Sequence, residues 1–241
     1  MRYAVISDVH SNLEALRAVL ADIKANSVKE ILFTGDAVGY GPDPNECLKI
    51  IETGCSVLIA GNHDWAAIGL TDIAFFNTAA QSAMMWTMKT LTKENLQTLS
   101  KFKITEVVLE KNLFLVHSTP REPQRWFYLQ PYRDAVANFE YFDEKICFLG
   151  HSHIPFIVER NLKGEVAVYN DEIKITKGAR YIVNVGSVGQ PRDGDPRACY
   201  CIFDEGLISF RRVAYEISKT QEKMRKCGLP IHLIERLAFG V

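Results

Sequence analysis

The chain has 241 residues, of which 47% are apolar and 24% are charged, and its formal net charge is −1. This length and balance suit a globular protein with one sizeable core, and the absence of a basic excess argues against a stable nucleic-acid complex. No apolar run approaches the ~20 residues of a membrane span, and the apolar run before Asp8 is too short for a secretion signal. We therefore expect a cytoplasmic protein with no membrane partner.

In the first half of the chain, short apolar runs rich in β-branched residues alternate with segments of helical periodicity. The predicted strands are Tyr3–Ser7, Ile31–Thr34, Ser56–Ile59, Thr105–Leu109, Leu113–His117 and Ile146–Leu149. The predicted helices are Leu13–Ala25, Asn45–Glu52, Thr78–Lys101 and Tyr132–Phe142. This alternation is typical of βα units.

After Leu149 the hydrophobic pattern changes to a period of two, which is typical of strands with one buried face. Strands are predicted at Pro155–Arg160, Glu165–Tyr169, Glu172–Thr176, Arg180–Asn184, Ala198–Phe203 and Leu207–Val213. A final helical pair follows, at Ile217–Lys226 and Ile231–Leu237. Alternating βα units followed by a strand-rich half predict an α/β fold in which two sheets pack face to face with helices outside. We expect a single domain that spans residues 1–241.

Five of the predicted strands end in the same way, because a polar side chain able to bind a metal directly follows the apolar run. The segments are Asp8-Val9-His10, Asp36, Asn62-His63-Asp64, His117 and His151-Ser152-His153. Sites in open α/β sheets form outside the carboxyl ends of the strands, so we expect these side chains at one rim. Of the six histidines in the chain, only His232 lies outside these segments.

The chemistry of these side chains favours a transition-metal site. Imidazole and carboxylate together suit manganese, iron, zinc or nickel rather than magnesium or calcium. Glycine comes before the polar residue at Gly35, Gly61 and Gly150, and glycine permits positive φ and a close approach of the backbone to a ligand. Each motif alone is more typical of a turn or a solvated surface. Their coincidence after five apolar runs favours metal binding.

These motifs resemble the calcineurin-like metallophosphoesterase superfamily, in particular its small bacterial and archaeal phosphodiesterase-like members. The matching segments, in order, are Asp8-x-His10, Gly35-Asp36, Gly61-Asn62-His63-Asp64, His117 and Gly150-His151-Ser152-His153. The later run from Asn184 to Arg192 resembles the segment that follows the metal motifs in those members. The resemblance implies a sandwich of two mixed β-sheets flanked by helices. It also implies a metal-dependent phosphoric ester hydrolase, either a phosphodiesterase or a phosphatase.

The resemblance further implies two divalent transition-metal ions, which we expect to be manganese, with iron, zinc, nickel or cobalt as alternatives. One ion would take Asp8, His10, Asp36 and His153, and the other would take Asp36, Asn62, His117 and His151. A metal-bridging hydroxide would attack the phosphorus atom. His63 would protonate the leaving oxygen as the general acid, and Asp64 would orient His63 and favour its charged form.

Loops that follow the predicted ligands are candidates for substrate binding. The candidate residues in them are Asn12, Tyr40, Arg121, Arg125, Trp126 and Arg192. Arginine suits a phosphate group, and aromatic side chains suit a stacked base. Two candidates have a structural alternative. Asn12 would cap the helix that begins at Leu13, which is the role we prefer, and Trp126 would belong to a hydrophobic plug on the sheet.

The expected substrate is a small phosphorylated molecule, either a phosphodiester or a phosphomonoester. The first alternative is a dinucleoside polyphosphate hydrolase, which the arginine- and aromatic-rich loop Ser118–Gln130 suggests. A nuclease is less favoured because the chain lacks a basic excess. A non-catalytic interaction module on the same fold, resembling a retromer subunit, is a distant alternative because no ligand residue is missing. We leave open whether the protein forms a homo-oligomer.

Overall fold

The computed structural model describes residues 2–204 and 206–241, and these residues form two six-stranded β-sheets. In spatial order, the first sheet consists of β3 (Val57–Leu58), β2 (Glu30–Phe33), β1 (Tyr3–Ile6), β11 (Ala198–Asp204), β12 (Leu207–Val213) and β9 (Ile173–Lys174). The second consists of β4 (Thr105–Val108), β5 (Leu113–Val116), β6 (Ile146–Leu149), β10 (Arg180–Asn184), β7 (Phe156–Arg160) and β8 (Val166–Tyr169). Both sheets are mixed, and the predicted α/β sandwich is confirmed.

Parallel strands bring the carboxyl ends of the early strands together. β1, β2 and β3 are parallel neighbours in the first sheet, as are β5, β6 and β10 in the second. The main-chain N–H of His151, which follows β6, donates to Asp8 Oδ2 beyond β1 at 3.0 Å. The loops after the two sets of parallel strands therefore meet at one rim.

One apolar core lies between the sheets, and the side chains of the strands alternate between this core and the outer faces. On β1, Val5 packs in the inter-sheet core, whereas Ala4 and Ile6 pack in the core beneath the outer helices. On β5, Leu115 points inward, and Phe114 packs in the cluster outside the second sheet. This alternation buries both faces of each sheet, which is why these strands read as almost continuous apolar runs.

Eight α-helices lie within the described ranges. They are α1 (Leu13–Ala25), α2 (Pro44–Gly54), α3 (Asn62–Ala67), α4 (Thr78–Thr90), α5 (Lys93–Leu99), α6 (Ala135–Asn138), α7 (Ile217–Lys226) and α8 (Ile231–Glu235). Helices α1 and α2 cover the outer face of the first sheet through apolar side chains such as Leu16 and Leu48. Within the described ranges, no helix combines the length and the hydropathy needed to cross a bilayer.

Two predicted helices are wrong in extent. The segment Thr78–Lys101 is two helices, α4 and α5, because the hydroxyl of Thr92 accepts the N–H of Asn95 at 3.2 Å and starts a new helix. The segment Tyr132–Phe142 contains only α6 and one 3-10 turn. There the guanidinium of Arg180 donates to the carbonyls of Phe139, Phe142 and Glu144, which ends the helical pattern.

The C-terminal helices pack against a loop at the rim. Met224 of α7, Leu233 of α8 and Leu237 form one apolar cluster with Tyr40 and with Ala83 of α4. Tyr40 follows β2 and is 8% exposed. The C-terminal segment therefore supports a side chain that was a candidate for substrate binding.

Candidate metal centre and substrate cavity

Five of the predicted ligands have left-handed backbone conformations. The φ angles are 52° at Asp8, 47° at His10, 59° at Asp36, 68° at His151 and 62° at His153. Residues other than glycine rarely adopt this region, and each such residue costs of order 1–3 kcal/mol. Strain is therefore concentrated in the loops where the polar side chains converge, which points to a function for these loops.

The three glycines of the motifs allow these loops to approach one another closely. A Cβ atom on Gly35, which has a φ of 109°, would lie 2.5 Å from Nδ1 of His117. A Cβ atom on Gly61 would collide with the carboxylate of Asp36, and one on Gly150 would collide with side chains of the β1 loop. Of these three glycines only Gly35 has a positive φ, so close approach is the shared requirement.

Three histidines are held by the main chain in one common way. His10, His117 and His153 place Nδ1 3.1, 2.9 and 2.6 Å, respectively, from a carbonyl oxygen. The accepting carbonyls belong to Val38, Thr34 and Gln190, respectively. A carbonyl only accepts, so Nδ1 donates and the neutral ring keeps its lone pair on Nε2. Metal-binding histidines in proteins are typically oriented by such a bond on the other ring nitrogen.

His151 makes its hydrogen bond to the main chain through the other ring nitrogen. Its Nε2 lies 2.8 Å from the carbonyl oxygen of Trp126, so this nitrogen donates and Nδ1 keeps the lone pair. The ring of Tyr128 stacks on the imidazole at 4.2 Å with an interplanar angle of 15°. The loop after β5 thus sets both the tautomer and the orientation of His151.

The free ring nitrogens face two carboxylates. Nε2 of His153 lies 3.2 Å from Asp8 Oδ1, and Nε2 of His117 lies 3.3 Å from Asp36 Oδ2. Nε2 of His10 is 3.7 Å from Asp8 Oδ1 and 3.6 Å from Asp36 Oδ2. Nε2 of His10 also lies only 3.1 Å from Nε2 of His153. Two nitrogen lone pairs repel at that distance unless a cation or a proton lies between them.

The buried donor set fits divalent cations. Among the described residues, Asp8 Oδ1, Asn62 Oδ1 and His117 Nε2 are buried without a hydrogen-bond partner, which is unusual for polar atoms. Ligand atoms within 4.8 Å of one another form three groups of three residues. The groups are Asp8, His10 and His153; His10, Asp36 and His63; and Asp36, His117 and His151. Imidazole nitrogens with carboxylate oxygens are a donor set for transition metals.

The protonation states of the carboxyl groups and imidazoles in the cluster also bear on cation binding. Burial opposes the ionised form of Asp8 and Asp36, but the surrounding histidines hold the pKa of both carboxyl groups below the usual range. Burial also opposes protonation of His117, yet the carboxylate of Asp36 raises the pKa of that imidazole to about 9. Burial lowers the pKa of His151 to about 3. The site thus combines ionised carboxylates with neutral imidazoles at His10, His151 and His153, whereas His117 must release a proton before its Nε2 can bind a cation.

His63 lies beside this cluster. Its main-chain N–H donates to Asp36 Oδ1 at 2.9 Å, and its ring Nδ1 lies 3.2 Å from the sulfur of Met84. The side chain is almost fully buried, and burial lowers the pKa of His63 to about 4. The imidazole of His63 is therefore neutral near pH 7 in the unliganded protein.

The hydrogen bonds of Asp64 are made to the main chain and not to the His63 ring, contrary to the expectation that Asp64 orients this histidine. Its Oδ2 accepts the N–H groups of Asp36 and Gly61 at 2.9 and 3.0 Å. Its Oδ1 accepts the N–H groups of Ala37 and Val38 at 2.9 and 3.2 Å. Asp64 lies in the first turn of α3, where an acidic side chain reaches back toward free N–H groups. It therefore supports the loop that carries Asp36.

A cavity of about 690 Å³ opens over the cluster. Of the residues predicted to bind substrate, Tyr40, Arg125, Trp126 and Arg192 line it. Phe127 and Tyr128 of the predicted loop Ser118–Gln130 also line it. Several lining residues were not predicted, and they come from the segment before α4: Thr71, Phe75, Phe76 and Asn77. The sequence signal for the segment before α4 is weak, because two adjacent phenylalanines ahead of a helix usually indicate packing.

Two predicted substrate residues lie outside the cavity lining. The Oδ1 atom of Asn12 accepts the N–H of Ala15 at 3.2 Å, so Asn12 is the N-cap of α1. Its Nδ2 atom donates to the carbonyl of Gly189 at 2.8 Å. The side chain of Asn12 therefore has the structural role of a helix cap, which is the role that we preferred from the sequence. Arg121 is exposed and lies 3.6 Å from the carboxylate of Glu122.

Trp126 differs from the two aromatic residues that follow it. Its indole N–H donates to the hydroxyl of Thr71 at 3.2 Å, and its ring meets Trp65 edge to face at 5.3 Å. Phe127 and Tyr128 are 44% and 53% exposed, so neither is part of a plug. Trp126 joins the two walls of the cavity, and the next two aromatic rings remain available to a ligand.

Comparison with known proteins agrees with this geometry. The family model described as a calcineurin-like phosphoesterase superfamily domain matches residues 1–206 of the chain. A protein of uncharacterised function from Methanocaldococcus jannaschii is 44% identical over 242 residues, which cover 98% of this chain and 97% of that protein. The crystal structure of a metallophosphoesterase from Sphaerobacter thermophilus is 43% identical, with a TM-score of 0.87 over 100% of this chain and 99% of that one.

A shorter match has a named activity. The symmetrical bis(5'-nucleosyl)-tetraphosphatase of Pectobacterium atrosepticum is 40% identical over 63 residues, which are 25% of this chain and 22% of that protein. The family match covers most of the chain and includes every segment of the cluster. The chain therefore belongs to the calcineurin-like phosphoesterase superfamily.

Proposed function

We propose that the chain is a binuclear metal-dependent phosphoesterase that hydrolyses small phosphodiester or phosphomonoester substrates. The observation that carries the proposal is the set of imidazoles whose Nδ1 is tied to the main chain and whose Nε2 faces Asp8 or Asp36. This preorganisation would be unfavourable in a buried site without cations, because lone pairs and unpartnered polar atoms face one another.

The ligands would be divided between two ions, with Asp36 shared. One ion would take Asp8, His10, Asp36 and His153, and the other would take Asp36, Asn62, His117 and His151. The division is supported by two of the three groups of neighbouring ligand atoms, and the unpartnered Asn62 Oδ1 supplies a further oxygen. When bound, two such cations lower the pKa of a bound water and neutralise phosphoryl charge. Manganese is the ion that we propose first.

His63 would act as the general acid. Its ring reaches the cavity beside Asp36 and is neutral in the unliganded protein. A phosphate group near Nε2 would bring negative charge to the ring and oppose the effect of burial, so that the charged form becomes accessible in the complex. Arg192 also lines the cavity and would hold a phosphoryl oxygen there.

The test is a substrate panel with manganese, nickel, zinc, cobalt and magnesium. It contains bis-p-nitrophenyl phosphate, p-nitrophenyl phosphate, cyclic nucleotides and dinucleoside polyphosphates. His63→Ala should keep the metals and lose kcat by roughly 10²–10⁴-fold. The loss should be smaller for nitrophenolate leaving groups, which need less protonation. Full activity in metal-free protein would overturn the proposal.

The second candidate is a dinucleoside polyphosphate hydrolase, and the cavity walls favour it. Phe127 and Tyr128 present exposed rings from one wall, and Phe75 on the other segment is 87% exposed. Arg125 lies over the ring of Phe127 at 5.3 Å. Exposed aromatic faces beside arginine suit stacked bases and phosphate groups. The local similarity to a symmetrical tetraphosphatase supports the same reading.

The remaining parts of the proposal concern the whole chain. A single domain is supported by the packing of Tyr40 against α7 and α8, which ties the C-terminal segment to the rim. A cytoplasmic location is supported by the six cysteines, all of which are unpaired, because a reducing compartment keeps thiols free.

A further inference from the structure

The imidazole of His63 is enclosed on several sides. The rings of Tyr40, Phe76 and His10 lie 4.5, 4.7 and 4.8 Å away, respectively, between centroids. On the remaining edge, the Nδ1 atom lies 3.2 Å from the sulfur of Met84. The hydrogen bond of this ring that the structure records is therefore made to a thioether and not to a carboxylate.

The chemistry of a thioether decides which nitrogen carries the proton. Sulfur in methionine has no hydrogen and is a weak acceptor, so Nδ1 of His63 must donate in this contact. The neutral ring then keeps its lone pair on Nε2. The carboxylate of Asp64 cannot provide an alternative acceptor, because its oxygens already receive four main-chain N–H groups.

Two further features hold the sulfur in place. Met84 is fully buried in the core on α4, so its side chain has little freedom. Gly39 lies against the contact, and a Cβ atom there would collide with Nδ1 of His63 and come within 3.1 Å of the sulfur. Gly39 has a φ of 92°. The backbone at Gly39 thus keeps open the space in which the two side chains meet.

We propose that Met84 is a positioning residue for His63, whose Nδ1–H donates to the Met84 sulfur so that Nε2 is presented to the substrate cavity. The catalytic consequence rests on the proposed function, in which Nε2 takes up a proton from solvent when a phosphate group binds and then gives that proton to the leaving oxygen. The contact itself does not depend on that function. α4 begins directly after Phe76 and Asn77, so one helix connects the cavity wall to the orientation of this ring.

The first experiment reads the tautomer directly. Long-range ¹H–¹⁵N correlation spectra of histidine-labelled, zinc-loaded protein at about pH 8, where an ordinary imidazole is neutral, distinguish Nδ1–H from Nε2–H. The His63 signals are assigned by their loss in His63→Gln. Wild type should show the Nδ1–H tautomer. Met84→Leu keeps the volume but removes the acceptor, and it should shift His63 toward Nε2–H.

Met85→Leu is the matched control, because Met85 lies on the same helix and is 47% exposed. It should leave the His63 spectrum as in wild type. An Nε2–H tautomer in wild type, or an unchanged Nδ1–H tautomer in Met84→Leu, would overturn the proposal. These readouts need no turnover, so they remain decisive even if the protein proves not to hydrolyse phosphoesters.

The second experiment measures the catalytic consequence. Met84→Leu should lower kcat for a cyclic nucleotide, whose leaving group is an alkoxide, by about 3- to 10-fold, the worth of one weak hydrogen bond. KM and the bound metal should stay at wild-type values. The loss should be smaller for bis-p-nitrophenyl phosphate. A changed tautomer with unchanged kcat on the cyclic nucleotide would show that Met84 does not position His63 for catalysis.

Discussion

Replacing Asp64 by asparagine should destabilise the loop that carries Asp36. The buried carboxylate accepts four main-chain N–H groups, two on each oxygen. In Asp64→Asn one oxygen becomes an NH₂ group, so two N–H donors face another donor whichever way the amide is turned. A buried donor without a partner costs about 1–3 kcal/mol, so the free energy of unfolding should fall by about 2–6 kcal/mol.

Calorimetry on metal-free protein measures this loss without a contribution from bound ions. For a chain of this length, each kcal/mol changes Tm by about 2–4 °C, so Tm should fall by at least about 4 °C. Metal affinity should fall as well, because the N–H of Asp36 is one of the groups released. Asp171→Asn is the matched control, since Asp171 is exposed, and its Tm should match that of wild type.

The opposite result would restore the role expected from sequence. If Asp64→Asn kept Tm and metal affinity but lost turnover on poor leaving groups, then Asp64 would act on His63 and not on the loop. The reasoning from the four N–H contacts would then be refuted.

Three further predictions address the metals, the cavity and the effect of pH. Purified protein should carry about two transition-metal ions per chain, and Asp36→Ala should lose most of them, as elemental analysis after dialysis can check. Phe75→Ala should lower kcat/KM for a dinucleoside polyphosphate roughly ten- to a hundred-fold and spare bis-p-nitrophenyl phosphate, because Phe75 is exposed in the cavity wall, whereas Trp126→Ala should lower Tm and both activities; equal losses in both variants would contradict this. The hydrogen bond from Arg211 lowers the pKa of Asp22, so the stability it provides is present above the unfolded pKa of about 3.9 and is lost as pH falls. Denaturant melts of Asp22→Asn should therefore show a deficit at neutral pH that disappears in acid.

The arrangement of the rim could be read from local sequence, because it depends on two local properties. An apolar run marks a buried strand, and the residue after it stands at the end of that strand. In a sheet of parallel strands these ends share one edge, so Asp8 and Asp36 could be expected to meet before any contact was known, whereas His117 reaches them from the second sheet. The N-cap role of Asn12 is local for the same reason, since it involves a main-chain N–H three residues away.

Contacts within the site were decided by packing. Asp64 is adjacent to His63, yet adjacent residues on a helix point in different directions, and the carboxylate turns back to the loop of Asp36 while the imidazole faces the cavity. Met84 is 21 residues from His63 and reaches it because α4 packs across the rim. The tautomers depend on carbonyls such as that of Gln190, 37 residues from His153.

Hydrophobic period and strand ends are local properties, so the order of the amino acids was enough to predict two sheets, one rim and the polar side chains that follow the strands. The folded chain was needed to establish which nitrogen of each histidine is free, which N–H groups Asp64 accepts, and which aromatic rings stay exposed. Those features depend on distances between segments that are far apart in the chain, and such distances follow from the packing of whole elements. Trp126 and Tyr128 show the difference, because the same local run places one ring between the cavity walls and leaves the other open.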